Sequence, residues 1–110
     1  MKEQDLQKQI LDYLRHRGIL CWKVPLGPML VGGGMRTKNP MSGHPDVAAV
    51  LKGGRYLAIE VKRDSGASEV SEAQRDWLAR LGAQGAICGV VRGIPDVEDI
   101  LALAEDLGAA

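Results

Sequence analysis

Phenylalanine is absent from this 110-residue sequence, and two tryptophans and two tyrosines are its only aromatic residues. No aromatic platform for stacking single-stranded bases is evident, so Trp22 and Trp77 read as core or interface residues. Cysteine is equally sparse. Cys21 and Cys88 are too few and too isolated for a disulfide scaffold or a zinc site, and both are expected to be buried free thiols. Long hydrophobic runs are missing as well: the apolar stretch Ala86 to Val91 is far short of the ~20 residues a spanning helix needs. The opening MKEQDLQKQI is charged from its second residue and lacks the apolar stretch of a signal peptide. These absences argue against a membrane protein and predict a cytoplasmic one. What is present is ordinary for a soluble globular chain, with 45% hydrophobic and 25% charged residues, and the length fits one domain spanning residues 1–110.

Net charge is lacking overall, yet the charge is unevenly spread. Residues 1 to 63 hold eleven Lys and Arg against five Asp and Glu, a balance of +6, whereas residues 64 to 110 hold three against nine, a balance of −6. The basic part is compatible with a polyanionic partner and equally with solvated surface charge.

From Lys2 to Arg17, Leu6, Ile10, Tyr13 and Leu14 recur at spacings of three and four, which predicts an amphipathic helix ended by Gly18. Ile19 to Val24 reads as a strand closed by Pro25. Leu26 to His44 carries five glycines and two prolines and is expected to be a long mobile loop without regular structure. Asp46 to Leu51 and Tyr56 to Lys62 read as strands joined by a Gly53-Gly54 hairpin turn. Asp64 to Ser71 is polar, and Ser71 with Gln74 resembles the capping box of a helix that runs to Leu81 and buries Trp77, Leu78 and Leu81. A strand from Ala86 to Val91 and a helix opening at Pro95 close the chain. The order αβββαβα, with strands both adjacent and separated by a helix, predicts an α/β fold on the α+β border: a mixed four-stranded sheet flanked by helices.

In Tyr56 to Lys62 the two-residue period of a strand turns Glu60 and Lys62 to the same face. Alone, that is the polar side of a half-buried strand. The turn Gly43-His44-Pro45-Asp46, however, delivers an aspartate to the start of the neighbouring strand, fourteen residues before Glu60, and the hairpin arm brings it near Glu60. Two carboxylates and a lysine at one sheet edge form a hard-oxygen site suited to Mg²⁺, which commonly takes one or two protein carboxylates and keeps several waters. Such a site suits phosphodiester hydrolysis, with the metal activating water and Lys62 neutralising transition-state charge.

Pro45-Asp46 followed by Glu60-Val61-Lys62 resembles the PD-(D/E)xK nuclease signature, and more narrowly the chain resembles the virus-type replication-repair nuclease (VRR-NUC) family. The likeness includes Glu3 and Gln7 on the first helix, Gly43 to Asp46, Glu60 to Lys62, and Ser71 and Gln74 opening the next helix. It implies a restriction-endonuclease-like core, with Asp46, Glu60 and the Val61 carbonyl as ligands of Mg²⁺ or Mn²⁺. It further implies Lys62 as the catalytic lysine, Glu3 as an additional acidic residue at the metal, and Gln74 as a supporting polar group. Glu3 also suits a helix amino terminus, Gln74 a capping box, and Gln7 a solvated helix surface. Arg36 and Lys38 suit contacts to nucleic-acid backbone, unless the loop is plainly disordered. No G-x-x-x-x-G-K-[ST] cradle surrounds Gly32-Gly33-Gly34, which argues against a nucleotide cofactor. His44 reads as a turn residue and His16 as a surface residue.

These readings converge on a metal-dependent DNA endonuclease. Likeness to stand-alone phage-type members implies a homodimer acting on branched DNA such as four-way junctions. Trp22, Met29, Leu30, Val31 and Met35, in or beside an otherwise polar loop, suit a subunit interface or packing onto their own sheet. A flap or nick nuclease, a catalytically silent nucleic-acid-binding module, and a structural or toxin–antitoxin interaction protein are the rival readings.

Overall fold

The apolar stripe of the amino-terminal segment forms helix α1 (Glu3–His16), which buries Leu6, Ile10, Leu11 and Leu14. Strand β1 (Leu20–Lys23) follows directly. The structure, a computed structural model, describes residues 1–63 and 69–109. Most of the polar connection expected from Asp64 to Ser71 lies outside these described residues.

The glycine-rich segment after β1 departs from the irregular loop expected. It contains a small antiparallel hairpin, β2 (Met29–Leu30) against β3 (Arg36–Thr37), with Met29 opposite Thr37 and Leu30 opposite Arg36. Gly33 and Gly34 make this possible, because both take positive φ values, 76° and 74°, that let the chain reverse within a few residues. The reversal is closed by the Val31 N–H donating to the Met35 carbonyl at 2.7 Å. Asn39 fastens the base, its Nδ2 donating to the carbonyls of Pro25 at 2.8 Å and Gly27 at 3.1 Å.

The main sheet forms as expected. Strand β4 (Val47–Val50) and strand β5 (Tyr56–Val61) pair antiparallel across a 3₁₀ turn at Lys52–Gly54, with Val47 opposite Ile59. Helix α2 (Glu72–Ala83) then carries the chain across to strand β6 (Ile87–Val91), which lies parallel to β5, and helix α3 (Ile94–Asp106) follows. Strand order is β1-β4-β5-β6, a mixed four-stranded sheet flanked by helices.

One core lies between the sheet and the pair α1 and α3. It is built from aliphatic side chains including Ile10, Leu14, Leu57, Ile59 and Leu101, all 1% exposed or less. Full burial of one such side chain contributes about 1.5–3 kcal/mol. Ile100 of α3 sits so close over Gly89 of β6 that a side chain there would collide with it.

Helix α2 covers the opposite face, and the expected buried stripe is a correction. Trp77, Leu78 and Leu81 are only half-buried, because α2 spans the β6 end of the sheet instead of sinking into a second core. Cys21 is a buried free thiol, while Cys88 is free and half-buried. Among the described residues no helix is long and apolar enough to cross a membrane.

Candidate active site

The register of the β4–β5 hairpin decides where Asp46 goes. With Val47 opposite Ile59, the residue before Val47 falls beside Glu60, and Asp46 Oδ2 accepts from the Val61 N–H at 2.9 Å. Its backbone is held from the other side, where the Asp46 carbonyl accepts from the Val24 N–H at 2.8 Å. Asp46 therefore sits locked between β1 and β5.

Glu60 is not the solvated strand residue that its polarity alone suggested: it is 2% exposed, and its Oε2 has no hydrogen-bond partner. Burial first, then the adjoining Asp46 carboxylate, push its carboxyl up to about 9; Lys62 pulls the other way and Glu3 adds to the push. The register thus brings Asp46 beside Glu60, two residues before Lys62, while Glu3 stands in the first turn of α1.

Gln74 both completes the cap of α2 and bonds Glu60. Its backbone N–H donates to Ser71 Oγ at 3.1 Å and its Oε1 accepts from the Ser71 N–H at 2.9 Å, completing the capping box. The free Nε2 donates to Glu60 Oε1 at 3.2 Å. Capping leaves an amide only its nitrogen to offer, and that nitrogen reaches the buried carboxylate.

Gln7 is buried rather than solvated, and its Oε1 is also without a partner. It stands one turn after Glu3 on α1. Arg36 and Lys38 are exposed, on β3 and just beyond it.

A clamp around His44 was not foreseen. His44 is 2% exposed, its Nδ1 lies 2.7 Å from the Pro45 carbonyl, and its Nε2 lies 3.0 Å from the Tyr56 hydroxyl. A carbonyl only accepts, so Nδ1 carries the proton and, in the neutral ring, Nε2 accepts from Tyr56. Trp77 packs edge-on against the imidazole at 5.1 Å between ring centres, and its Nε1 donates to the Ser42 carbonyl at 3.0 Å. Tyr56 and Glu60 share one face of β5 by strand alternation, so the clamp holds the turn that carries Asp46 over the same face as Glu60. The only sequence signal was a histidine between a glycine and a proline.

Among the described residues no group of three or more His, Cys, Asp or Glu side chains could hold a metal ion. The donors present are of the kind Mg²⁺ and Mn²⁺ accept: two adjacent carboxylates, one with a buried oxygen left without a partner. The residues fit such a cation.

A model of the VRR-NUC domain matches residues 35–95. The chain belongs to the VRR-NUC family. The VRR-NUC match includes Asp46, Glu60, Lys62 and Gln74 and excludes α1, so Glu3 and Gln7 come to the site from outside it. A solved structure titled "VRR_NUC domain protein" superposes with a TM-score of 0.60 at 22% identity, over 93% of this chain and 86% of that one. At that identity the likeness shows the shared fold. No curated protein sequence matches the chain. A VRR-NUC domain has a nuclease-type fold, and the carboxylate pair lies where β4 and β5 bring their ends together.

Proposed function

We propose that this chain is a metal-dependent DNA endonuclease that hydrolyses phosphodiester bonds in branched DNA such as four-way junctions, acting as a homodimer in the cytoplasm. The observation that carries the reading is the meeting of Asp46 with a buried Glu60 whose Oε2 is unpartnered, two residues before Lys62.

Asp46 and Glu60 would hold Mg²⁺ or Mn²⁺, with the Val61 carbonyl and, from α1, Glu3 as further ligands. When bound, such an ion polarises a phosphoryl oxygen and lowers the pKa of a coordinated water. The chain's own residues do the rest. Gln74 fixes Glu60 by donating to Oε1, which leaves Oε2 free to act as a ligand. Asp46 is held by the Val61 N–H, so its second oxygen has a set direction. Lys62, two residues beyond Glu60 on the same strand face, would neutralise charge on the reacting phosphate or hold the attacking water. Arg36 and Lys38 would neutralise backbone phosphates without reading sequence.

The dimer follows from substrate symmetry. Resolving a four-way junction takes two cuts on opposed strands, and a two-fold pair of chains repeats the single site.

The test is cleavage of labelled linear, flap and four-way DNAs with Mg²⁺ or Mn²⁺, beside Asp46→Asn, with sedimentation to report the assembly. Metal-dependent cutting of the four-way substrate, lost in the variant, is the expected result. Cutting of flaps alone would replace the substrate, and equal cutting by Asp46→Asn would remove the site.

A further inference from the structure

We propose that the tip of the β2–β3 hairpin is a wedge, inserting Leu30, Val31 and Met35 between the bases of bound DNA where stacking is already interrupted. The inference rests on the nucleic-acid reading above and assigns the selection of branched DNA to particular side chains.

Every residue from Gly27 to Lys38 is exposed, and the hairpin tip carries apolar side chains into solvent: Leu30 is 72% exposed, Met35 68% and Val31 45%. Such a cluster is costly to hold in water without a partner. Three features point to the partner. The first is charge: between Asp12 and Asp46 the chain holds Arg15, Arg17, Lys23, Arg36 and Lys38 and no acidic residue. Leu30 faces Arg36 directly across the hairpin, so a cation and an apolar side chain are presented together.

The second is shape. The reversal between Val31 and Met35 is three glycines, Gly32 to Gly34, which leaves a thin tip able to enter a groove or a gap between base pairs. The third is place. The hairpin is inserted between the end of β1 and the start of β4, where the Val24 N–H bonds to the Asp46 carbonyl and Asn39 fixes the hairpin base to Pro25 and Gly27. DNA with a phosphate at Asp46 and Glu60 therefore passes the root of the hairpin.

Phosphates meet the cations and base faces meet the apolar tip, an alternation that a nucleic acid supplies. A second copy docked hairpin to hairpin would bring Arg36 and Lys38 of the two chains together, and like charges would oppose it. Leucine and methionine are among the residues that enter base steps as wedges, and opening an intact step costs stacking energy. At a branch, flap or nick that stacking is already broken, so the same insertion favours discontinuous DNA over continuous duplex.

The test uses 2-aminopurine, which brightens when unstacked, placed at the branch of a four-way or flap DNA and at the middle of a linear duplex. Ca²⁺ replaces Mg²⁺ to limit cutting, and the full chain is compared with Leu30→Ser/Met35→Ser. Both positions are exposed, and matching thermal melts confirm that the variant folds. The wild-type chain is expected to brighten the branch probe and leave the duplex probe nearly unchanged. The variant should lose that brightening and about tenfold of its preference for branched DNA, with an unchanged salt slope because Arg36 and Lys38 remain. Brightening that survives in the variant overturns the wedge while leaving DNA binding intact. A wild-type chain that binds none of the DNAs sinks the nucleic-acid reading itself. A variant that keeps its DNA preference but sediments as a smaller species assigns the hairpin to the interface between copies and overturns the proposal.

Discussion

Glu60→Gln should stabilise the metal-free protein at neutral pH, by an amount that grows with pH. In the fold Glu60 is raised from the ordinary 4.5 to about 9, through burial first and then through Asp46. Between those two values the folded chain holds a proton that the unfolded chain has released. Stability from this group is therefore fully present below pH 4.5 and is lost as pH rises toward 9. Each pH unit in that window is worth about 1.4 kcal/mol, so at pH 7 the loss is about 3 kcal/mol. Glutamine has no proton to lose. Its amide is uncharged at every pH, and its oxygen can still accept from Gln74 Nε2.

The assay is thermal or urea unfolding of both chains from pH 4 to 9 in chelator, taking the difference between them so that other titrating groups cancel. The variant should gain steadily above pH 4.5, reaching roughly 10 °C in Tm at pH 7, since a domain of this size shifts by roughly 4 °C or more per kcal/mol. A divalent cation should close the gap by stabilising the wild-type chain alone, by about 2.7 kcal/mol at a hundred times its Kd. A difference curve that stays flat from pH 5 to 8 would refute the burial argument. Equal stabilisation of both chains by Mg²⁺ would refute Glu60 as its ligand.

Asp46→Asn should abolish cleavage while retaining or tightening DNA binding, since a negative charge facing phosphate is removed; anisotropy beside a cleavage gel checks both halves. Lys62→Ala should lower turnover about 10²- to 10³-fold, the range for removing one transition-state donor, with little change in metal affinity by calorimetry. Arg36→Ala/Lys38→Ala should weaken binding to all duplexes and reduce the logarithmic salt slope by about 0.9 for each phosphate no longer neutralised, read from titrations at several salt concentrations. Gly43→Ala should cost about 1–3 kcal/mol and depress cleavage, because Gly43 has φ 92° and an added Cβ would lie 3.0 Å from both Ala73 Cβ and Trp77 Cδ1. Unfolding and activity measured together test that link.

The meeting of Asp46 and Glu60 was legible because it depends on local rules. A two-residue period and a Gly-Gly turn define an antiparallel hairpin, and its arm length carries Asp46 to Glu60. Burial was not legible. Glu60 and Gln7 are polar and read as solvated, and only the docking of α1 and α2 against the sheet takes them out of water. The β2–β3 hairpin was hidden for another reason: glycine marks both irregular loops and tight reversals, and two-residue strands give no periodicity to count. The half-buried state of Trp77, Leu78 and Leu81 depends on how far α2 reaches over the sheet, which spacing along a helix does not record.

The His44 clamp explains why the turn before Asp46 has its particular composition. Gly43 gives the left-handed backbone and the absent Cβ that let the turn press against Ala73 and Trp77. His44 spends both ring nitrogens inside the fold, one on the Pro45 carbonyl and one on Tyr56. Pro45 restricts the backbone just before Asp46. Tyr56 lies on the strand that carries Glu60, and Trp77 stands one turn after Gln74 on the helix that holds Glu60. The turn that positions one carboxylate is therefore tied to the strand and the helix that position the other. The spacing of Asp46 and Glu60, the quantity a bridging cation would depend on, is thus set by contacts that β5, α2 and the Gly43–Asp46 turn make with one another.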